Sequence, residues 1–277
     1  MTIGNAIKRQ TLAFIGGGNM ASAIISGLLR NGIAPDQIEV VEPFAEARSR
    51  LQSLLGVTAQ EHAGPALARA QLVVWAVKPQ AFRQATQQVR PHTASALHLS
   101  VAAGIRSDSI ATWLGTQRIV RSMPNTPALV GKGMTALFAR SGVTSDDKCL
   151  VEEVVATTGE SLWVDQEQQL DAVTALSGSG PAYVFYFLEA MVEAGVEMGL
   201  PAPQARRLAI GTFAGASALA DASDDPLELL RQRVTSKGGT TQAALASMEQ
   251  DHVKARFIQA MHAAGKRATE LGDEFGA

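Results

Sequence analysis

Short apolar runs set the rhythm of the first half of the chain. Leu12–Ile15, Ile38–Val41, Leu72–Val77, Leu97–Val101, Arg118–Met123, Met134–Ala139 and Ser161–Val164 are each four to six residues long. Runs of that length, bounded by turn residues, read as buried strands. Between them apolar positions return at helical spacing, as at Met20, Ala23, Ile24 and Leu28. The first helix is expected over about Met20–Arg30, where Asn31-Gly32 offers a residue able to take positive φ. Others are expected over Asp108–Leu114 and Asp146–Thr158, with Ser107 and Ser145 as N-caps. Pro79 fits the first turn of a further helix, where its missing N–H costs little. Strands alternating with helices predict a parallel sheet covered on both faces.

From about Gln166 the pattern is helical throughout. Leu170–Leu176 is followed by a break at Ser177-Gly178-Ser179-Gly180-Pro181, then by Tyr183–Met198, Pro203–Ala220, Pro226–Val234, Thr241–Gln250 and His252–Leu271. The chain therefore divides into an α/β domain, residues 1–165, and an all-α domain, residues 166–277. Gly211 and Gly215, four apart, would let two helices approach closely. Packing inside the chain accounts for that spacing slightly better than a subunit interface does.

Composition narrows the class. The 277 residues carry a net charge of −2 and are 46% hydrophobic, an ordinary globular balance. No basic excess points to nucleic acid or to a membrane surface. No apolar run reaches the roughly 18–20 residues that span a bilayer. Cys149 is the sole cysteine, so no intrachain disulfide forms, which fits a reducing, cytoplasmic setting. Residues 1–10 lack an apolar core of their own and read as a loose lead-in rather than a signal peptide.

The first strand runs straight into Gly16-Gly17-Gly18, then Asn19, Met20 and Ala21. Gly16, Gly18 and Ala21 fit the G-x-G-x-x-G/A pattern of the Rossmann dinucleotide fold. There the first glycine makes the turn and the second admits a pyrophosphate. The third position must be small so that helix packs on strand. The phosphates would rest on the helix N-terminus, whose free N–H groups and dipole favour anions. A glycine turn that binds nothing is the alternative. Glu42 stands at the tip of the second strand, where an acid can bond the adenosine ribose 2′-OH and disfavour a 2′-phosphate. Arg48 and Arg50 lie close enough along the next helix to offset it, and a solvated loop acid is an equally ordinary use of Glu42. The choice between NADPH and NADH is open at this point. The other tips, Val77 to Pro79, Ala102 to Gly104 and Pro124 to Thr126, are small, glycine-bearing or polar, so backbone could approach a ligand.

In the helical half, Val234-Thr235-Ser236-Lys237-Gly238-Gly239-Thr240-Thr241 stands out, with four hydroxyl residues and two glycines between helices. The start of the next helix would make a good carboxylate site, although an N-cap with a flexible loop explains part of the pattern. The five histidines show no metal-ligand spacing, and no HExxH, CxxC or G-x-S-x-G is present. Hydride transfer needs none of these, because the cofactor carries the chemistry and the protein aligns the substrate with it.

With these segments in view, the chain resembles pyrroline-5-carboxylate reductase from Leu12 to about Ala268. The resemblance is carried by IGGGNMA (15–21), AVKPQ (76–80), SVAAG (100–104), VRSMPNTPALV (120–130), DAVTALSGSGPAYVF (171–185) and LLRQRVTSKGGTTQAAL (229–245). It implies a Rossmann-like N-terminal domain and an all-α C-terminal domain that interlocks with a second copy as a homodimer, larger rings of dimers being known in the family. It implies NAD(P)H-dependent reduction of 1-pyrroline-5-carboxylate to proline. Gly16, Gly18, Asn19 and Met20 match the pyrophosphate cradle. Ala76, Val77, Lys78 and Pro79, with Ala102, Ala103 and Gly104, match the ribose and nicotinamide lining, and Asn125 falls near the nicotinamide. Ser236, Gly239, Thr240 and Thr241 match the loop that receives the substrate carboxylate through backbone N–H groups. The Thr241 hydroxyl corresponds to the group that bonds the ring nitrogen, and Glu167 falls at a position associated with ligand. Two departures stand out: Lys237 replaces the usual proline, and Ala63 replaces a polar residue sometimes found near the adenosine.

Two rival readings have their own marks. A hydroxy-acid reductase of this plan would want a lysine on the first long helix of the second domain, and Tyr183–Met198 has none. A dinucleotide-binding protein without activity would leave the loop at 234–241 without a use.

Overall fold

The computed structural model describes residues 7–276. The chain forms two compact units, one comprising residues up to Ser179 together with those from Ala264 onward, the other Gly180–Ala263.

The first unit is built on an eight-stranded sheet. Its strands are β1 (Thr11–Ile15), β2 (Ile38–Val41), β3 (Ala59–Gln60), β4 (Ala70–Trp75), β5 (Leu97–Ser100), β6 (Ile119–Met123), β7 (Gly133–Ala139) and β8 (Gly159–Trp163). They lie in the order β3-β2-β1-β4-β5-β6-β7-β8. Helices α1 (Asn19–Arg30), α2 (Ala45–Leu55), α3 (Pro79–Val89), α4 (Ser107–Leu114) and α5 (Ser145–Ala156) connect them, and the short α6 (Gln169–Val173) follows β8. Alternation along the strands feeds two cores, because successive side chains leave opposite faces. Leu12, Phe14, Leu72 and Val74 pack with Ile24, Ile25 and Leu28 of α1 and with Val151, Val154 and Val155 of α5. Ala13, Ile15, Val73 and Trp75 pack with Phe82 of α3 and with Ile110 and Leu114 of α4. Each large side chain so buried contributes about 1.5–3 kcal/mol.

The sheet is parallel from β3 to β6, as the alternation predicts, but β7 runs antiparallel to β6, with Val120 opposite Ala139. The link between them holds only a 3-10 turn at Thr126–Val130. It has no room for the crossover helix that a parallel partner requires, so the chain folds straight back. The two-residue β3 carries no apolar run and was not foreseen. Neither expected serine cap is present. Thr144 caps α5, accepting the Asp147 N–H at 3.1 Å while Asp147 accepts the Thr144 N–H at 3.0 Å, a reciprocal capping box. Ser107 lies inside α4, with its hydroxyl 2.5 Å from Glu167 Oε2. Within the lead-in expected to be loose, Ile7 is fully buried at the head of a 3-10 turn. The first six residues of the chain lie outside the described residues.

Thr174–Gly178 forms a π-turn rather than an open break, closed by the Ser179 N–H on the Thr174 carbonyl at 2.8 Å. The second unit then begins with α7 (Gly180–Glu197) and α8 (Ala202–Asp221). A Cβ on Gly195 would come 2.9 Å from Ala205 Cβ, so this glycine permits the close approach of the two helices. A Cβ on Gly211 or on Gly215 would meet nothing within 4 Å, so the expected intrachain packing does not occur there. α9 (Leu227–Arg233) and α10 (Thr240–Gln250) follow. α11 (Val253–Phe275) starts in this unit, and its residues from Ala264 belong to the first. Phe187 and Tyr183 each contact Phe257 with ring centroids 5.6 Å apart. Phe185, Tyr186, Leu208 and Leu219 are exposed. No helix among the described residues is long and apolar enough to cross a membrane.

Trp75 and His98 form a polar pair inside the sheet unit. Trp75 Nε1–H donates to His98 Nδ1 at 3.1 Å, and the imidazole is also hydrogen-bonded to the Thr93 backbone. Burial brings the His98 pKa down from 6.5 to about 4, outweighing the Thr93 bond, while the Arg118 charge acts in the same direction as burial. The unfolded chain therefore takes up a proton between pH 6.5 and 4 that the folded chain refuses. Stability is full above that window and falls as the pH drops through it, by about 3 kcal/mol from this residue. Urea unfolding of His98→Gln and the parent, compared from pH 7 to 4, should show a gap that narrows by that amount toward low pH. Parallel pH profiles would show that His98 is protonated in the native protein.

Candidate active site

The glycine turn is clamped between the two neighbouring strands. Gly16 N–H donates to the Val41 carbonyl and Ala76 N–H to the Ile15 carbonyl, both at 2.8 Å. Gly16 has φ +96°, and a Cβ there would come 2.6 Å from the Ala76 carbonyl oxygen. Only glycine meets both demands. Gly18 is different: its backbone is extended, and a Cβ would meet nothing within 4 Å. It opens α1, whose first N–H groups have no partner within the helix and whose first turn carries no acid. Open space beside Gly18 and a free helix N-terminus fit a pyrophosphate.

The middle glycine has a role that the motif does not name. Gly17 N–H donates to Glu42 Oε2 at 2.6 Å, and a Cβ on Gly17 would come 2.6 Å from Leu51 Cδ1. Glu42 is buried, and its Oε1 accepts the Phe44 N–H at 2.9 Å. It is therefore not a solvated loop acid. The signal for this in the sequence was a glycine at the unrestricted middle position of the motif.

The remaining cofactor candidates stand in a row along one edge of the sheet. Strand order changes direction between β1 and β4, the place where such sheets bind ligands. Gly16 to Met20 follow β1, and Ala76 to Pro79 follow β4, which ends at Trp75, two residues earlier than expected. Ala102, Ala103 and Gly104 follow β5, and Asn125 follows β6. Asn19 and Lys78 are exposed; Met20, Ala76, Val77, Pro79, Ala103 and Gly104 are half-buried. Gly104 has φ +72°. Asn125 spends its side chain on the protein: Nδ2 donates to the Ser177 carbonyl at 3.1 Å, and Oδ1 accepts the Met134 N–H at 2.9 Å. It ties the end of β6 to the start of β7 and to the π-turn.

Glu167 is held by protein groups. Oε1 accepts Arg121 Nη1 and the Ser107 N–H, both at 2.6 Å, and Oε2 accepts the Ser107 hydroxyl. Arg140 joins through Ser107 Oγ at 2.9 Å and pairs with Asp108. Arg121 is buried, and its Nε has no partner. Partners 46 and 60 residues apart leave no local mark in a sequence, and none of this network was foreseen.

In the second unit the loop before α10 closes into one tight turn. Gly239 N–H donates to the Ser236 carbonyl at 3.1 Å, and Gly238, at φ +74°, donates to Gln242 Oε1 at 2.5 Å. Gly239 is the N-cap of α10, and a Cβ there would lie 2.5 Å from Ser236 Oγ. Thr240 and Thr241 open the helix, Thr240 exposed and Thr241 half-buried; Ser236 and Lys237 are exposed. Ser236, Gly239, Thr240 and Thr241 are thus gathered at a helix N-terminus that can receive a carboxylate. Gln242 as the latch of the turn was missed.

Comparison with known proteins places these features in a family. Residues 167–271 match the family model for pyrroline-5-carboxylate reductase dimerisation, and residues 11–104 match that for coenzyme F420-dependent NADP oxidoreductase. A pyrroline-5-carboxylate reductase of Pseudomonas aeruginosa is 41% identical over 268 residues, covering 96% of this chain and 98% of its own. The structure of a pyrroline-5-carboxylate reductase from Coxiella burnetii is similar with a TM-score of 0.87 at 38% identity, covering 95% of this chain and 98% of that one. That of Plasmodium falciparum pyrroline carboxylate reductase with NADP bound gives 0.87 at 28% identity, covering 96% and 99%.

The two outer glycines should separate in experiment. Gly16→Ala is expected to lower stability by about 1–3 kcal/mol through backbone strain alone, with the clash at Ala76 adding to it. Gly18→Val should keep the parent's melting temperature and lose dinucleotide binding in a fluorescence titration; undiminished binding would remove Gly18 from the cradle. Glu167→Ala leaves the Arg121 charge buried without its partner and should cost about 3–5 kcal/mol in urea unfolding. A normal unfolding curve with a raised substrate KM would instead make Glu167 a ligand-binding residue.

Proposed function

The chain belongs to the pyrroline-5-carboxylate reductase family, and on that premise we propose that it reduces 1-pyrroline-5-carboxylate to L-proline with NAD(P)H. The observation that carries the reading is the open glycine cradle at the start of α1; the helical unit separately holds a glycine-hydroxyl turn at the start of α10. A full-length likeness to enzymes of that name supports it. The nicotinamide supplies the hydride when the cofactor is bound.

The protein's part is to bind and orient. Gly16, Gly18, Asn19 and Met20 hold the pyrophosphate at the start of α1. Ala76, Val77, Lys78, Pro79, Ala102, Ala103 and Gly104 line the ribose and nicotinamide with small side chains and backbone. Asn125 keeps that edge in shape through its bonds to Ser177 and Met134. The substrate has one carboxylate and one ring nitrogen. Its carboxylate docks on the N–H groups that open α10 at Thr240 and Thr241, beside Ser236 and Gly239, favoured by the dipole of α10. The Thr241 hydroxyl bonds the ring nitrogen. A threonine hydroxyl is a weak acid, so Thr241 orients first and relays a proton second; a protonated imine is the better hydride acceptor.

Residues 166–277 form the substrate-binding and dimerisation part in this reading, and the working unit is a homodimer. Exposed Phe185, Tyr186, Leu208 and Leu219 support self-association, as do glycines 211 and 215, where a Cβ would meet nothing within 4 Å among the described residues outside their own helix backbone. The cytoplasm, where a lone exposed Cys149 stays reduced, is the compartment that fits.

Thr241→Ala should lower turnover at least tenfold while the circular dichroism spectrum and melting temperature stay at parent values. Loss of one transition-state hydrogen bond costs on the order of 2–4 kcal/mol in comparable oxyanion sites. The assay is oxidation of NADPH or NADH with pyrroline-5-carboxylate as substrate. Parent-like kinetics would remove Thr241 from the site, and no oxidation by the parent would refute the reaction itself.

A further inference from the structure

The tip of β2 is the place where a doubly wound sheet meets the adenosine ribose of a dinucleotide. Glu42 does not extend into solvent there. Its carboxylate is folded back against the glycine turn, with Oε2 on the Gly17 N–H at 2.6 Å and Oε1 on the Phe44 N–H at 2.9 Å. Two backbone donors on the two oxygens fix the group, and at 5% exposure it has little freedom to swing away. A fixed acid beside the adenosine ribose accepts from its hydroxyls and repels a 2′-phosphate.

A cation could cancel that repulsion, and the guanidinium hydrogen-bonded at this tip is already committed. Arg48 Nη1 donates to the Glu42 carbonyl at 2.9 Å and to the Pro43 carbonyl at 2.7 Å, and Nη2 to Glu61 Oε2 at 3.0 Å. It braces the β2–α2 loop. Arg50 is exposed two residues further along α2, about 200° round the helix from Arg48. His62 lies against Glu61, and Glu46 adds a second exposed acid in the first turn of α2. No side chain of this segment offers a free guanidinium on the Glu42 side.

We propose that Glu42 makes this protein an NADH-preferring enzyme, its buried carboxylate receiving the adenosine ribose hydroxyls and excluding the 2′-phosphate of NADPH. The proposal rests on the dinucleotide reading of the glycine turn and is independent of which imine is reduced.

The test is direct binding to the purified full chain at low ionic strength, by calorimetry, of NADH, NADPH, ADP-ribose and 2′-phospho-ADP-ribose. The expected result is at least tenfold tighter binding of NADH than of NADPH, with the same order for the two fragments, which report the adenosine end alone. Glu42→Ser should tighten NADPH at least tenfold and weaken NADH, closing or reversing the gap. Arg48→Ala should leave the parent's preference for NADH in place. NADPH binding as tightly as NADH to the parent would overturn the proposal, and so would an NADPH affinity that falls in Arg48→Ala. The parent comparison stands even if Glu42→Ser fails to fold. Binding of neither dinucleotide would overturn the reading of the turn and the proposal with it, whereas a preference for NADPH overturns the proposal alone.

Discussion

The cofactor edge of the sheet depends on how closely one backbone passes another. Gly16 lies so near the Ala76 carbonyl that a methyl group would overlap it. That approach lets the first turn hydrogen-bond to β2 on one side while β4 bonds back to β1 on the other. It fixes the direction in which α1 leaves the sheet, and with it the free N–H groups at the helix start. Gly17 brings the Glu42 carboxylate into the same cluster. Three consecutive glycines thus serve three constraints: a positive φ under a carbonyl, a surface against which an acid and Leu51 pack, and an open flank for a ligand.

Elements whose identity rests on burial were legible in the sequence. Ile38–Val41 was read to the residue, and the other long strands to within one or two at either end, because most carry short runs of buried apolar residues between turns; β8, half-buried and exposed in alternation, shows least of this. What rests on a single side chain or on chain geometry was not. Thr144 rather than Ser145 caps α5 because Asp147 can answer it three residues on. The reversal of β7 follows from the length of a link, which no hydrophobic pattern records. β3, two residues on the sheet edge, buries too little to show.

The candidate site divides along the same line. Gly16, Gly18, Ser236, Gly239 and Thr241 could be picked out as candidates because glycines and hydroxyls cluster there at a helix start, a pattern that turns and caps also produce. The hydrogen-bond partners of Asn125 and Glu167 could not. Asn125 is spent on Ser177 and Met134, and Glu167 on Arg121 and Ser107. These are partners distant in sequence, brought together only by the fold. Buried polar groups of this kind are costly unless paired. Arg121 and His98 therefore tell more about how the sheet unit is held than about what it binds.

The absence of a recognisable catalytic set has a chemical reason. Hydride transfer to an activated C=N bond asks for no nucleophile, no metal and no strong base from the protein. It asks for backbone N–H groups aimed at fixed anions, and for surfaces small enough to let a flat ring and a pyrophosphate lie close. Both demands select glycine, alanine, serine and threonine, which elsewhere pass for turns and caps. The functional information of such a chain therefore lies in where small residues sit rather than in reactive ones. Glu42 is the informative exception: a charged group at a strand tip, held by the backbone N–H groups of the glycine turn it borders and of the loop that follows it.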